Sequence, residues 1–200
     1  TYIMMQMEES KGREASMVSS KLKDYQQLMK FTLSFTVVFS SVVCYLLVPG
    51  VEFDIISVLL LFAGGMLVTG AANAINQIAE KDTDAMMKRT ASRPLASGRM
   101  TVDEAATFSV VAAVFGIFII GLWFNWTAAG ISGFSLFLYG FIYTPLKKVH
   151  SIAVLVGAIP GALPCLIGWA AGDPELGIGG WILFSLQFFW QFPHFWAIAW

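Results

Sequence analysis

The sequence predicts an all-α protein, a polytopic bundle of helices that cross a membrane. Three observations carry that reading. The 200 residues are 57% hydrophobic and only 12% charged, with a mean hydropathy of +0.71, far from the composition of a soluble domain. Apolar stretches recur at 31–48, 55–79, 105–123, 127–143, 152–171 and 178–200, most of them near the ~20 residues that a helix needs to cross hydrocarbon. Every charged residue falls outside these stretches or at their edges, so about six spans are expected, the fourth being the weakest because it is short and holds Gly130, Gly133 and Gly140.

Residues 1–30 form a polar tail of mixed charge, unlike a signal peptide. Within it Val18, Leu22, Tyr25 and Met29 recur at helical spacing among polar residues, which predicts a short helix lying on the membrane surface and leading into the first span. The second span carries small residues at Gly64, Gly65, Gly70, Ala71 and Ala72, where a neighbouring helix can approach. It then turns polar at Asn73, Asn76 and Gln77, and amides at that depth are expected to line a pocket.

Beyond the amides the chain reads NAINQIAEKDTDAMMKRTASRPL. If the helix continues, Asn76, Glu80 and Asp84, spaced by four, share one face, while Asp82 points elsewhere. Lys88, Arg89 and Arg93 follow within a few turns. Two readings fit this strip. Hard oxygen donors beside a basic cluster suit Mg²⁺ shared with a phosphate-bearing ligand; alternatively, the residues are solvated charges at the membrane surface. Arg93-Pro94 and Gly98 argue against one continuous helix through the loop, and Thr101 with Glu104 reads as a capping box opening the third span.

The connection YTPLKKVHS brings Tyr143, Lys147 and Lys148 to the same side, as pocket residues or as topology anchors. Span five carries Pro160 and Pro164 and span six Pro193, each of which can kink its helix. Span six ends in FFWQFPHFWAIAW, placing Gln191 and His194 among aromatics, where a histidine is either a packing residue or a functional one.

The twelve bases divide into five before the first span, five between spans two and three, and two between spans four and five, while the other connections hold only Glu52, Asp54, Asp173 and Glu175. The positive-inside rule therefore puts the N-terminus and both basic loops in the cytoplasm or its organellar equivalent. A net charge of −1 with segregated signs gives no indication of nucleic acid as a partner. Cys44 and Cys165 fall inside spans, where a thiol is usually a small buried apolar group, so neither a disulfide nor a metal site is inferred.

The same residues resemble the membrane prenyltransferases. Members share an Asn-x-x-x-Asp-x-x-x-Asp motif at the cytoplasmic end of the second span, matched here by Asn76, Glu80 and Asp84 with Glu in the middle place. RTASRPL (89–95), YTPLKK (143–148), VGAIPGALPCLIGW (156–169) and WQFPHF (190–195) are similar to the haem-modifying branch in particular, and the resemblance runs from about Tyr25 to the last residue. It implies a fold of about nine spans and transfer of a farnesyl group from farnesyl diphosphate to a vinyl group of protohaem IX. Mg²⁺ would be held by Glu80 and Asp84 with Asn76, the diphosphate by Lys88, Arg89, Arg93, Lys147 and Lys148, and the acceptor by His194, Gln191 and Tyr143.

The family's Lys-Pro-Arg triplet before the first span is Lys30-Phe31-Thr32 here, so the role of its Arg does not carry over. The chain starts at Thr1 and stops at Trp200, before the family's second acidic motif, so 31–200 reads as an incomplete prenyltransferase domain. The resemblance further implies the bacterial inner membrane, with the lipid bilayer around the protein and association with haem A synthase or cytochrome oxidase assembly factors. The competing readings are a prenyltransferase with a quinone-precursor or other aromatic acceptor, and a transporter with kinked helices.

Overall fold

The computed structural model describes residues 20–199, without the side chains of residues 195, 196, 198 and 199. Residues 1–19, including Val18 of the expected surface helix, lie outside it. Among the described residues the structure is helical, with turns and loops between. Four helices are long and apolar enough to cross a membrane, or five if the bent pair α1 (Ser20–Leu28) and α2 (Phe31–Leu46) counts as one span. The others are α3 (Ile55–Met86), α4 (Val102–Trp123), α5 (Trp126–Phe137) continued by a π-helical turn (Leu138–Tyr143) and α6 (Thr144–Leu146), and α7 (Ala153–Gly172); α8 (Ile178–Ala199) covers the sixth apolar stretch.

α1 does not run straight into α2. The two meet at 52°, and Lys30 between them is left-handed, with φ 49° and ψ 57°. A lysine there is strained, and the surroundings hold it. Gln77 Nε2 donates to the carbonyls of Gln27 and Leu28 at 3.0 and 2.9 Å, and Asn73 Nδ2 donates to Met29 O and Ser34 Oγ at 3.1 and 3.0 Å. These amides satisfy carbonyls that the end of α1 leaves without helical partners. Gln77, expected to line a pocket, is a clamp on the bend; Asn73 clamps and also borders the central cavity.

α3 is 32 residues long, about 48 Å, so it carries its acidic segment well beyond the hydrocarbon. Asp54 caps its start by accepting from the amides of Ile56 and Ser57. Its other end packs under the 87–101 loop. Leu28, Ala74, Leu95, Met100 and Ala105 form a core there, and burying Leu28 and Leu95 in it is worth about 1.5–3 kcal/mol each. Thr101 accepts from the Glu104 amide at 3.1 Å, so half of the expected capping box forms. The Glu104 carboxylate instead pairs with Lys21 and accepts from Tyr25, both at 3.0 Å, tying α1 to α4.

The span containing Gly130, Gly133 and Gly140 does cross as a helix, but in pieces. Asn125 caps α5 through the Ala128 amide and also donates to Ala170 O at 2.7 Å, fixing it to α7. The six-residue π turn then shifts the register of the residues after it, a local distortion common at functional sites. α7 is the most enclosed helix and packs against α2, α5 and α8, remaining helical through Pro160 and Pro164.

Candidate active site

α3 is unbroken through Asp84, so Asn76, Glu80 and Asp84 do share a face, at the basic end of the bundle. Each meets a different cation. Arg93 Nη1 pairs with Asp84 Oδ2 at 2.6 Å, Lys147 Nζ with Glu80 Oε1 at 2.7 Å, and Lys30 Nζ donates to Asn76 Oδ1 at 3.0 Å. The Asn76 amide nitrogen lies 3.4 Å from Thr144 Oγ1, whose own hydroxyl donates to Tyr139 O. The loop is held from the same helix end, because Thr90 Oγ1 donates to Asp84 O and Arg93 N to Thr90 O.

Lys30 sits in a crowd of positive charge. Burial, helped by Arg93 and Lys147 and opposed by Glu80 and Asp84, pushes its ammonium down to about 8. Lys147 also lies over the Tyr143 ring, 5.3 Å from its centroid. Lys148 points at the backbone instead, donating to Ala79 O at 2.8 Å. Lys88 and Arg89 are exposed and make no hydrogen bond or ion pair among the described residues.

Behind this cluster a cavity of about 470 Å³ runs into the bundle between α2, α3, the π turn, α7 and α8. Tyr139 and Tyr143, four residues apart with ring centroids at 5.4 Å, line it beside Asn73. Gln191 is buried and donates to Gly161 O at 3.3 Å. His194 is exposed at the rim, stacked on Trp190 at 4.9 Å.

The structure therefore joins Asn76, Glu80, Asp84, Arg93 and Lys147 in one cluster, with Tyr143, Gln191 and His194 around the adjoining cavity. It adds Lys30, Thr144 and Tyr139, which sequence reasoning missed. The Tyr139–Tyr143 spacing was visible in the sequence; Lys30 keeps the first place of the family's Lys-Pro-Arg triplet, and nothing else local marks it as a site residue. Two carboxylates and an amide oxygen on one helix face, bordered by three cations, fit a magnesium ion that completes its shell with phosphate oxygens. No group of three or more His, Cys, Asp or Glu side chains is placed for a metal among the described residues, so this pair is the acidic contribution they make.

The model of the UbiA prenyltransferase family matches residues 37–200. A protoheme IX farnesyltransferase from Cytophaga hutchinsonii is 46% identical over 183 residues, covering 92% of this chain and 64% of the relative. The mitochondrial protoheme IX farnesyltransferase of Arabidopsis thaliana is 40% identical over 176 residues, 88% of this chain and 41% of that protein. The chain thus spans about three fifths of the length of the bacterial relatives it matches. Among solved structures, one described under digeranylgeranylglyceryl phosphate synthase superimposes with a TM-score of 0.73 at 25% identity, covering 84% of this chain and 60% of that one. A UbiA homologue from Archaeoglobus fulgidus bound to GPP and Mg²⁺ shares the fold, with a TM-score of 0.65 at 16% identity over 84% of this chain and 59% of that one.

Proposed function

The chain belongs to the UbiA prenyltransferase family and is an integral membrane protein, and on that premise we propose that it carries the donor site of an enzyme that transfers a farnesyl group from farnesyl diphosphate to a vinyl group of protohaem IX. One observation supports this above the rest: two carboxylates and three cations converge beside Tyr143, whose ring lies under Lys147 and lines the largely apolar cavity.

In this reading Glu80 and Asp84, with help from Asn76, would hold Mg²⁺, which would supply charge neutralisation at the diphosphate. Arg93, Lys147 and Lys30 bind the diphosphate oxygens. As the bond from C1 to the diphosphate breaks, its electron pair leaves with the diphosphate, and those cations stabilise the growing negative charge. The allylic cation left behind faces Tyr139 and Tyr143, whose rings attract positive charge, in a cavity that excludes water. Its C1 then bonds to the terminal vinyl carbon of the acceptor with the vinyl π electrons, and the cation this leaves on the carbon next to the macrocycle takes up water at the rim and releases a proton, so the product carries a hydroxyl there. Lys88 and Arg89, exposed on the loop that carries Arg93, serve as outer charges that draw in the anionic donor, and Lys148 anchors the same end. Gln191, His194 and Tyr143 face the acceptor at the rim. The positive-inside rule supports a cytoplasmic side for this end and the N-terminus, and the resemblance to the bacterial relatives supports the bacterial inner membrane.

The test uses the full-length enzyme in detergent with farnesyl diphosphate and protohaem. Asp84→Asn should lower product formation by at least about 100-fold while the protein stays folded, because Asn keeps the shape of the buried side chain and an oxygen for Arg93 Nη1. Normal turnover by that variant would remove the metal role. Prenylation of an aromatic acid with haem left untouched would move the acceptor assignment to a quinone precursor.

A further inference from the structure

Leu61 and Ile120 border the far end of the cavity and belong to the packed core that also holds Val42 and Tyr45, and we propose that these two side chains set the length of prenyl chain the protein accepts, admitting three isoprene units and refusing a fourth. This rests on the donor assignment above. Along α3 the cavity wall runs from Asn73 at the mouth through Ala72, Thr69, Val68 and Gly65 to Leu61. Asn73 and Leu61 are twelve residues apart, a depth of about 18 Å. The facing wall on α7, from Gly157 to Ile167, is about 15 Å long by the same rise per residue.

Leu61 and Ile120 are each only 1% exposed, and both border the cavity. Ile120 is fixed there by the way α4 meets α3. A Cβ on Gly116 would stand 2.8 Å from the Gly64 carbonyl oxygen, and a Cβ on Gly64 would stand 2.9 Å from Ile120 Cγ1. Backbones that close leave the isoleucine no room to swing away, and packed interiors do not yield continuously. The floor is rigid.

Chain length can be set against that depth. An extended chain advances about 3.5 Å for every three bonds. The eleven main-chain bonds of a farnesyl group reach about 13 Å on that scale, and the fifteen of a geranylgeranyl group about 17–18 Å. Adding a carbon–carbon contact of about 4 Å at the tip, farnesyl needs about 17 Å and geranylgeranyl about 22 Å. With C1 beside Asn73 and Tyr143, the first fits above Leu61 and the second does not.

The experiment measures binding of geranyl, farnesyl and geranylgeranyl thiolodiphosphates, which resist cleavage, to the full-length protein with Mg²⁺. Turnover of the corresponding diphosphates is followed beside it. Wild type should bind the farnesyl compound at least about tenfold tighter than the geranylgeranyl one, the scale on which an apolar pocket discriminates length. Leu61→Ala should bring the two within about threefold by opening the floor, and Ile120→Ala should act in the same direction. Val68→Phe raises the floor by seven residues, about 10 Å, leaving about 8 Å, less than the roughly 12 Å that even a geranyl chain needs on the same scale, and should weaken farnesyl binding at least about tenfold even if the cavity-forming variants fold poorly. Equal wild-type binding of farnesyl and geranylgeranyl compounds, an unchanged preference in a folded Leu61→Ala or Ile120→Ala variant, or full-strength farnesyl binding by Val68→Phe overturns the floor. If wild type binds none of the three, the donor assignment itself falls.

Discussion

Replacing Lys30 with Met should stabilise the metal-free protein, because the fold holds that charge at a cost. The ammonium titrates near 8 instead of 10.5, a depression of about 2.5 units, which at 1.36 kcal/mol per unit amounts to about 3 kcal/mol against folding at pH 7. Since the folded value lies below the unfolded one, the unfolded chain keeps an extra proton between the two. The penalty is full below about pH 8 and fades as the pH rises towards 10.5. Met has a similar reach without charge, but it leaves Asn76 Oδ1 without its donor, a loss of about 1 kcal/mol. The net gain is therefore about 2 kcal/mol at pH 7, which for a chain of this size raises the unfolding temperature by about 4–8 °C. Thermal unfolding in detergent with a chelator, at pH 7 and again at pH 10, checks both magnitude and sign: the variant should melt higher at pH 7 and lose most of that advantage at pH 10. The same variant should bind inorganic diphosphate more weakly than wild type. A variant that melts at or below wild type at pH 7 would refute the reasoning, because it would mean that Lys30 is held by favourable pairing and not against its desolvation.

Two further outcomes are expected. Arg93→Lys keeps the charge beside Asp84 but loses the planar fork that matches phosphate, so KM for farnesyl diphosphate should rise about tenfold or turnover fall by a similar factor; unchanged steady-state kinetics would reduce Arg93 to a partner of Asp84. His194→Gln should weaken haem binding and move the Soret band without changing the unfolding temperature, since the residue is exposed at the rim, and a variant matching wild type in haem affinity, spectrum and product would make it a packing residue.

What the sequence made legible was what depends on period and local order. The four-residue spacing of Asn76, Glu80 and Asp84 needed only a helix that does not stop, and α3 does not stop until Met86. The apolar stretches became helices for the same reason. Arg93 was found through its neighbours in RTASRPL, and its contact with Asp84 spans only nine residues. Lys30 is a different case. It reaches Asn76 from 46 residues away, and it does so only because the chain turns left-handed at that residue, a conformation that local propensity assigns to glycine. Gln77 is misread in the opposite sense. It looks like a pocket residue because amides at membrane depth usually mark a site, yet its donor goes to the carbonyls of Gln27 and Leu28, while Asn73 does both, lining the cavity and donating to Met29 O. A broken helix inside a bundle needs polar partners of its own, and nothing in the amide's local sequence tells that need from a ligand's.

The clamp and the site are joined by this arrangement. Gln77 follows Asn76 directly, so the stretch of α3 that holds the α1–α2 bend also holds the oxygen that receives Lys30. The bend aims Lys30 at the cluster, the π turn places Thr144 on the other side of Asn76, and Lys147 arrives one residue after α6 to meet Glu80. Three chain segments thus deliver their polar groups to α3 through backbone irregularities: a left-handed residue, a π turn and the loop of turns around Arg93. Regular helices would keep their backbone groups satisfied internally but would point these side chains elsewhere. The irregularities are tolerated because each is satisfied by the fold, through Gln77 and Asn73 at the bend, through Thr144 on Tyr139 O at the π turn, and through Thr90 on Asp84 O at the loop. In the donor reading, the acids and bases so assembled neutralise one another until a metal and a diphosphate arrive. The carboxylates then turn to the metal and the cations to the phosphate oxygens. Neither exchange is favourable alone, because removing one partner of a poorly solvated pair strands the other's charge. In that reading metal and diphosphate would be bound as a unit.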